Sequence, residues 1–422
     1  MDDVLVTGLG ALSPLGSGTD AFWRGMHTAD AVPARVPDPL AHMDHPRMYL
    51  VPEADLPAGP EERDGLPLGR GSRFALAAAR EAVEDAGLAG PADADPADAD
   101  PADADPADAG PADADPRVDP RRVAVALSSG MGDTELHERW WTGQAPKAGR
   151  WAPVFPVASA VGAWFGAQGP NTCLSNACAA SGYALSVAAD LIRSGEADVV
   201  IAGGAEAYSR TALACFNRMG AIDPERCRPF AAERRGTVFG EGAAVLVLES
   251  AAHARARGVR RVYGRLAGTG WSCDAYHATA PEPGGAQIER AMREALREAG
   301  VGAAPDELGF VLPHGTGTEL NDVVESRILG AVLGASADRT PLYSLKALIG
   351  HTGGAAGAFA ALAAVLVLHH RTLPPNVPVG AWDPDCPVSL PLASAPMTAG
   401  YGLVNAYAFG GNNISLVFGE AA

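Results

Sequence analysis

Short apolar runs of β type alternate along the chain with stretches of helical periodicity. The runs at 4–10 (VLVTGLG), 123–130 (VAVALSSG), 199–204 (VVIAGG) and 243–250 (AAVLVLES) read as strands, and 73–88 (RFALAAAREAVEDAGL) reads as a helix between them. A second series follows after about residue 258. It comprises a strand-like 261–270, a helix over 287–300 (QIERAMREALREAG), GFVLPHG at 309–315, LYSLKALIGH at 342–351, a long helix near 354–370 and a final strand pair around 401–419. Two successive rounds of strand and helix predict an α/β protein of two similar halves around one core, 1–255 and 256–422.

Composition supports a large core: 47% of the 422 residues are hydrophobic, with Ala and Gly dominant. No eighteen residues are uninterruptedly apolar, so no transmembrane helix is predicted. The opening MDDVLVTGLGALSPLG lacks the charged start and cleavage pattern of a secretion signal. The six cysteines, Cys173, Cys178, Cys215, Cys227, Cys273 and Cys386, lie far apart and form no CxxC or CxxH. That pattern excludes a disulfide framework or a zinc site, so the expectation is a reduced, cytoplasmic protein without metal or cofactor. A net charge of -18 with no basic run excludes general nucleic-acid binding.

Half of the acidity is local. Residues 91–115 are five pentapeptides of the PADAD type with nine Asp, and without them the charge is -9. Proline at every fifth position blocks a helix and the like charges repel, which predicts a flexible, extended surface insertion.

Four motifs carry candidate chemistry. In Ser175-Asn176-Ala177-Cys178-Ala179-Ala180-Ser181-Gly182, the cysteine precedes a helical stretch marked by Leu185, Ala188, Ala189 and Ile192, with Gly195 as a stop. The N–H groups and positive dipole of a helix N-terminus favour a thiolate, and the Cys178 N–H can meet a developing oxyanion. A buried, inert thiol is the plainer reading, and it is kept for Cys173 and Cys215. Second, His314-Gly315-Thr316-Gly317-Thr318 follows the strand GFVLP, at the sheet edge where α/β proteins bind ligands. Third, Lys346-Ala347-Leu348-Ile349-Gly350-His351 leads into a Gly-rich helix entry without Walker or dinucleotide spacing. Fourth, Phe409-Gly410-Gly411-Asn412-Asn413 lies between two strand runs and, alone, reads as a hairpin turn. Together they supply a nucleophile, bases and oxyanion donors at element ends.

With these blocks in this order, the sequence resembles the β-ketoacyl-acyl-carrier-protein synthases of the thiolase fold. The likeness runs from VTGLGALSPLG through NACAAS, RPF, GEGAAVLVLE, DAYHATAPEP, HGTGT, KALIGHTGGAAG and AFGGNN. It implies a five-layered αβαβα fold of two similar halves, usually dimeric. It further implies Cys178 as the acyl-accepting nucleophile and His314 and His351 as the pair that promotes malonyl decarboxylation. Lys346 would stand beside them with Glu325 as its acidic partner. Phe409 would be the gate, its N–H completing the oxyanion hole with that of Cys178, and Thr316 and Thr318 would contact the pantetheine arm. The implied partners are acyl- and malonyl-loaded acyl carrier proteins and a second copy or a chain-length-factor-like subunit. The likeness also points to Arg70 and Arg73, ahead of the 73–88 helix, as carrier-docking residues.

The chain departs from the family where RPFD…RDGF becomes Arg228-Pro229-Phe230-Ala231-Ala232-Glu233-Arg234-Arg235-Gly236-Thr237, and where GFGGTN becomes AFGGNN. These changes favour a specialised polyketide or polyene pathway over housekeeping fatty-acid synthesis. A thiolase would need a C-terminal cysteine base after Cys386, an initiating synthase a Cys-His-Asn triad, and a non-catalytic chain-length partner would lack Cys178.

Overall fold

The computed structural model describes residues 3–56, 59–63, 65–88, 118–144, 153–301, 307–397 and 399–421. The PADAD repeat expected to be a flexible insertion lies outside the described residues.

Numbering only the elements that frame the site, the strands are β1 (Val4–Ser13), β2 (Val123–Ser128), β3 (Asn171–Leu174), β4 (Val199–Glu206), β5 (Gly242–Ser250), β6 (Gly264–Cys273), β7 (Leu308–Leu312), β8 (Tyr401–Ala408) and β9 (Asn412–Gly419). The helices are α1 (Arg70–Asp85), α2 (Pro156–Phe165), α3 (Ala180–Arg193), α4 (Arg210–Arg218), α5 (Ala286–Glu298), α6 (Glu319–Leu333) and α7 (Ala356–His370).

The first half orders its strands β3-β2-β4-β5-β1 and the second β7-β8-β9-β6. A parallel bridge from Val311 to Leu342 supplies the outer position beyond β7, so the second half repeats the first. The halves join where β1 pairs antiparallel with β6 over Val4–Leu266, Leu5–Arg265 and Val6–Gly264. Each half sends the segment after its outermost strand position into a helix of the central layer, α3 in the first and α7 in the second.

Five layers result. α1 and α2 cover the outer face of the first sheet through Phe74, Leu76, Val83, Val157 and Val161. α5 and α6 cover that of the second through Ile288, Met292, Leu296, Ile328 and Leu329. α3 and α7 lie between the sheets. Burial on every side explains why α7 shows no polar stripe: every residue from Ala356 to Leu368 is buried. Gly353–His370 is long and apolar enough to cross a membrane, with a mean hydropathy of 1.5, yet 83% of it is buried inside the protein.

The two central helices touch backbone to backbone. A Cβ on Gly357 would sit 2.7 Å from the Gly182 nitrogen, so a side chain there would force the helices apart. At the same crossing Ala358 N–H donates to Ser181 Oγ at 2.9 Å, which satisfies an otherwise unpaired donor in the first turn of α7. The contact fixes the start of α3 against the start of α7, and both starts carry the site.

Candidate active site

Cys178 lies in a single tight turn, Ala177–Ala179, between the end of β3 and the first residue of α3. Ala177 just before it takes φ 47°, a left-handed conformation that costs an alanine about 1 kcal/mol. That bend lets the chain reverse from sheet into central helix while leaving the sulfur facing a cavity. The cavity measures about 420 Å³ and is also lined by His314, His351, Thr316, Thr318 and Phe409. His314 follows β7 by two residues, and His351 follows the short helix Lys346–Ile349 on the way into α7. Cys178 and His351 thus occupy corresponding places in the two halves.

The imidazoles stand edge to face, with ring centroids 5.7 Å apart. Tyr407 packs against His314 at 5.4 Å and Phe239 against His351 at 5.9 Å. Burial first, and then the Lys346 charge, holds both histidines well below the usual imidazole range, so both are neutral at pH 7. Lys346 Nζ donates to the His314 carbonyl and lies 3.5 Å from His314 Nδ1. An ammonium has no acceptor, so His314 Nδ1 must accept, which places the ring proton on Nε2. His351 Nδ1 is buried without a hydrogen-bond partner among the described residues. A free buried polar atom of this kind costs about 1–3 kcal/mol and is retained where a substrate completes it.

These contacts give one of the expected assignments its geometry and correct another. Glu325 is buried beside the histidine loop, but its carboxylate accepts from the backbone N–H groups of His314 and Gly315, both at 2.7 Å. No hydrogen bond or ion pair among the described residues joins it to Lys346, and it acts on that lysine only through its charge. Burial pushes the Glu325 carboxyl up to about 7, against the pull of those two N–H groups. Its work is to hold the loop that carries His314. The correction concerns Arg70. Its guanidinium turns inward to Glu241 at 2.7 Å and also pairs with Glu53, because the buried Glu241 carboxylate needs a counter-charge. Arg70 is therefore spent on the fold. Arg73 borders a surface cleft beside Arg80, Glu81 and Glu84, whose mixed charges leave little net positive field.

The thiol is not the preformed thiolate that a helix start alone would favour. Cys178 is half-buried, and loss of water pushes its thiol up to about 11. Lys346 opposes the rise and Glu206 adds to it. A neutral thiol with neutral imidazoles on the same cavity is the resting state. Alkylation of Cys178 by iodoacetamide, followed by peptide mass, is expected to accelerate about ten-fold per pH unit from pH 7 to 9. A flat profile would mean a thiolate already present.

Several further residues shape the site that the motifs did not reveal. Glu206, at the end of β4, is buried against Cys178's loop and gathers Gly130 N–H, Met131 N–H, Gly354 N–H and the Ser129 hydroxyl. Asp322 accepts from Thr316 N–H at 3.0 Å and Phe230 N–H at 2.8 Å, tying the threonine loop to the RPF segment. The Thr316 and Thr318 hydroxyls meet at 2.8 Å. Phe409 opens the turn between β8 and β9, where Gly410 and Gly411 take φ 82° and 74°. Its ring stacks on Phe216 of α4, centroids 5.3 Å apart and 4° from parallel. Behind that pair lies a second, apolar cavity of about 140 Å³, walled by Met48, Met131, Leu213 and Phe239 and reaching Cys178. Phe216 and Phe409 line both cavities. A spacing of Asp322 and Glu325 one helical turn apart after HGTGT was the visible hint of Asp322, while Glu206 gave none and Phe216 is merely an apolar position on an amphipathic helix.

Comparison with known proteins agrees with this geometry. Residues 107–254 match the model of the beta-ketoacyl synthase N-terminal domain, and 263–379 match that of its C-terminal domain. The chain is 35% identical to the polyketide beta-ketoacyl synthase 1 of Streptomyces cyaneus, over 97% of this chain and 96% of that protein. It is 30% identical to 3-oxoacyl-[acyl-carrier-protein] synthase 2 of Synechocystis, over 98% and 97%. Among solved structures it is similar to the ishigamide ketosynthase/chain length factor, with a TM-score of 0.85, 31% identity and full coverage of both chains. It is also similar to a type II polyketide ketosynthase captured with its acyl-carrier protein, AntDE:AntF, with a TM-score of 0.82, 27% identity and full coverage.

Proposed function

Because this chain belongs to the β-ketoacyl synthase family, we propose that it condenses malonyl units onto an acyl group held by Cys178, in a polyketide or polyene pathway. The observation that carries this reading is the convergence of Cys178, His314 and His351 on one cavity, with both imidazoles neutral.

Cys178 Sγ attacks the thioester carbonyl of an acyl carrier protein. The carrier's pantetheine thiol leaves with the proton the cysteine gives up. The acyl chain then passes behind Phe409 and Phe216 into the apolar cavity. Malonyl-carrier enters the larger cavity, where His314 Nε2–H, with His351, donates to its thioester oxygen. The bond to the carboxylate breaks, CO₂ leaves, and the electron pair becomes an enolate held by those donors. The enolate carbon attacks the Cys178 thioester, whose carbonyl oxygen lies by the N–H groups of Cys178 and Phe409. The sulfur leaves and takes up a proton, and the 3-oxoacyl chain departs on the carrier. Neutral histidines suit this step. An imidazolium would pair with the malonyl carboxylate and stabilise the ground state, whereas neutral donors strengthen only as the oxyanion grows.

The sequence departures, Ala231, Arg235 and Asn412, and the 35% likeness to a polyketide synthase support this pathway over primary fatty-acid synthesis. The exposed edge of β3 is the surface for a second copy or a chain-length-factor-like subunit. Its six free thiols suit a reducing cytoplasm. A cavity of about 150 Å³ holds a benzene-sized group. The 140 Å³ behind Phe409 therefore takes a short acyl chain, and longer ones need the aromatic pair to part or a partner to add space. Intact mass after incubation with acyl-carriers of graded length is expected to show fast loading of short chains. A candidate partner subunit should extend the range. Equal loading of long and short chains by the chain alone would contradict the reading.

A further inference from the structure

The larger cavity must admit an anion, and among the described residues it holds one cation to meet it. Both histidines are neutral, Lys346 is buried behind them, and Asp274 and Glu319 on the rim are acidic. Among the described residues, Arg235 is the single positively charged side chain lining the cavity. It stands in a protein of net charge -18, where a carrier's anionic arm otherwise meets repulsion.

Among the described residues the local structure leaves this arginine free. Its neighbour Arg234 is buried and paired with Asp383. Arg235 is exposed, and no ion pair or hydrogen bond among the described residues engages its side chain. Of the two cavity-lining acids, Asp274 is already satisfied by Asn413 Nδ2 at 2.6 Å and Glu282 N–H at 3.1 Å. The backbone beneath Arg235 is held rigidly. Gly236 N–H donates to Gly317 O at 3.0 Å, and a Cβ on Gly236 would lie 2.3 Å from the Ala221 oxygen. Arg235 is thereby fixed to the rim beside Thr316 and Thr318, with its guanidinium unassigned.

On the reading proposed above, the arm that delivers substrate through this mouth ends in a phosphodiester outside and a thioester at Cys178 inside. We propose that Arg235 binds that phosphate. A planar guanidinium presents paired donors to two phosphate oxygens, and an exposed rim position matches the outer end of the arm.

Three thioesters of one short acyl group separate the possibilities: on pantetheine, on phosphopantetheine and on the carrier protein. Loading of Cys178 is measured for wild type, Arg235→Ala, Arg235→Glu and Arg235→Lys. The expected result is a loss in kcat/KM of roughly five- to ten-fold for Arg235→Ala with the two phosphate-bearing donors and no change with acyl-pantetheine. Arg235→Glu should lose more and Arg235→Lys less, and salt should erase the wild-type advantage. A loss with the carrier alone would assign Arg235 to the carrier's protein surface and overturn the proposal. An equal loss with all three donors would make its role structural, and no loss would also overturn it. Unchanged loading from acyl-pantetheine shows that the nucleophile and the proposed condensation machinery survive in the variant, so failure here is separable from failure there.

Discussion

Cys178→Ala is expected to abolish acyl loading and condensation, with a loss on the order of 10⁶-fold, the scale seen when a covalent nucleophile is removed from a site that works as a unit. The geometry gives two reasons. Cys178 alone among the six cysteines lines both cavities, the one that admits the carrier arm and the one that receives the acyl chain. The two fully buried thiols, Cys227 and Cys386, line neither cavity. Alanine fits the turn, so the variant should fold as wild type does. Intact mass after exposure to acyl-carrier should show no adduct. A stable acyl group on the alanine variant, or on another cysteine of the wild type, would remove Cys178 from its role.

The second large effect concerns the histidines. His314→Ala and His351→Ala are each expected to lower CO₂ release from malonyl-carrier by about 10²–10³-fold, the usual effect of losing one oxyanion donor. Loading of Cys178 should fall much less, because attack by the thiol does not use the enolate donors. His314 is the sharper case. Lys346 sets its tautomer, so Lys346→Met should reproduce part of the loss while leaving the imidazole in place. The pH dependence has a definite sign. Both imidazoles titrate well below the free value, so CO₂ release should hold as pH falls past 6.5 and decline only below it. Release near the wild-type rate in either alanine variant would contradict the assignment, as would a decline centred at 6.5.

The halves and most strands were legible because an α/β core writes its strands as apolar runs and its amphipathic helices as a 3.6 period. The run at 73–88 appears as α1 (Arg70–Asp85) and that at 287–300 as α5 (Ala286–Glu298). β3 escaped because Asn171-Thr172-Cys173-Leu174 is a short, half-exposed edge strand with neither alternation nor a continuous apolar run. Its counterpart in the second half is reduced to a bridge at Leu342, which no periodicity announces. At the site, Cys178, His314 and His351 could be located from strand ends and Gly-rich helix starts. What those residues face could not. The helix start before α3 suggested a thiolate, but the depth of burial that decides the thiol's state depends on β9, α4 and α7 packing around it. Arg70 looked like a surface charge because Glu241, its partner, lies 171 positions away. Glu325 was expected as the acidic partner of Lys346, and it does act on that lysine through its charge, but nothing in the sequence showed that its two carboxylate oxygens are taken by backbone N–H groups. Arg235 showed as a departure from the family pattern, and only the cavity gave that departure a place.

The central claim is that one cavity joins an acyl group on Cys178 to a carbanion made from malonyl-carrier. A single-turnover experiment tests it most directly. Enzyme loaded with a deuterated acyl group on Cys178 is mixed with malonyl-carrier labelled in its free carboxyl. The account predicts that labelled CO₂ appears in step with loss of the acyl group from Cys178, and that the carrier gains the deuterated 3-oxoacyl chain. Labelled CO₂ without transfer of the deuterated chain, or transfer of the chain with the label retained, would contradict it.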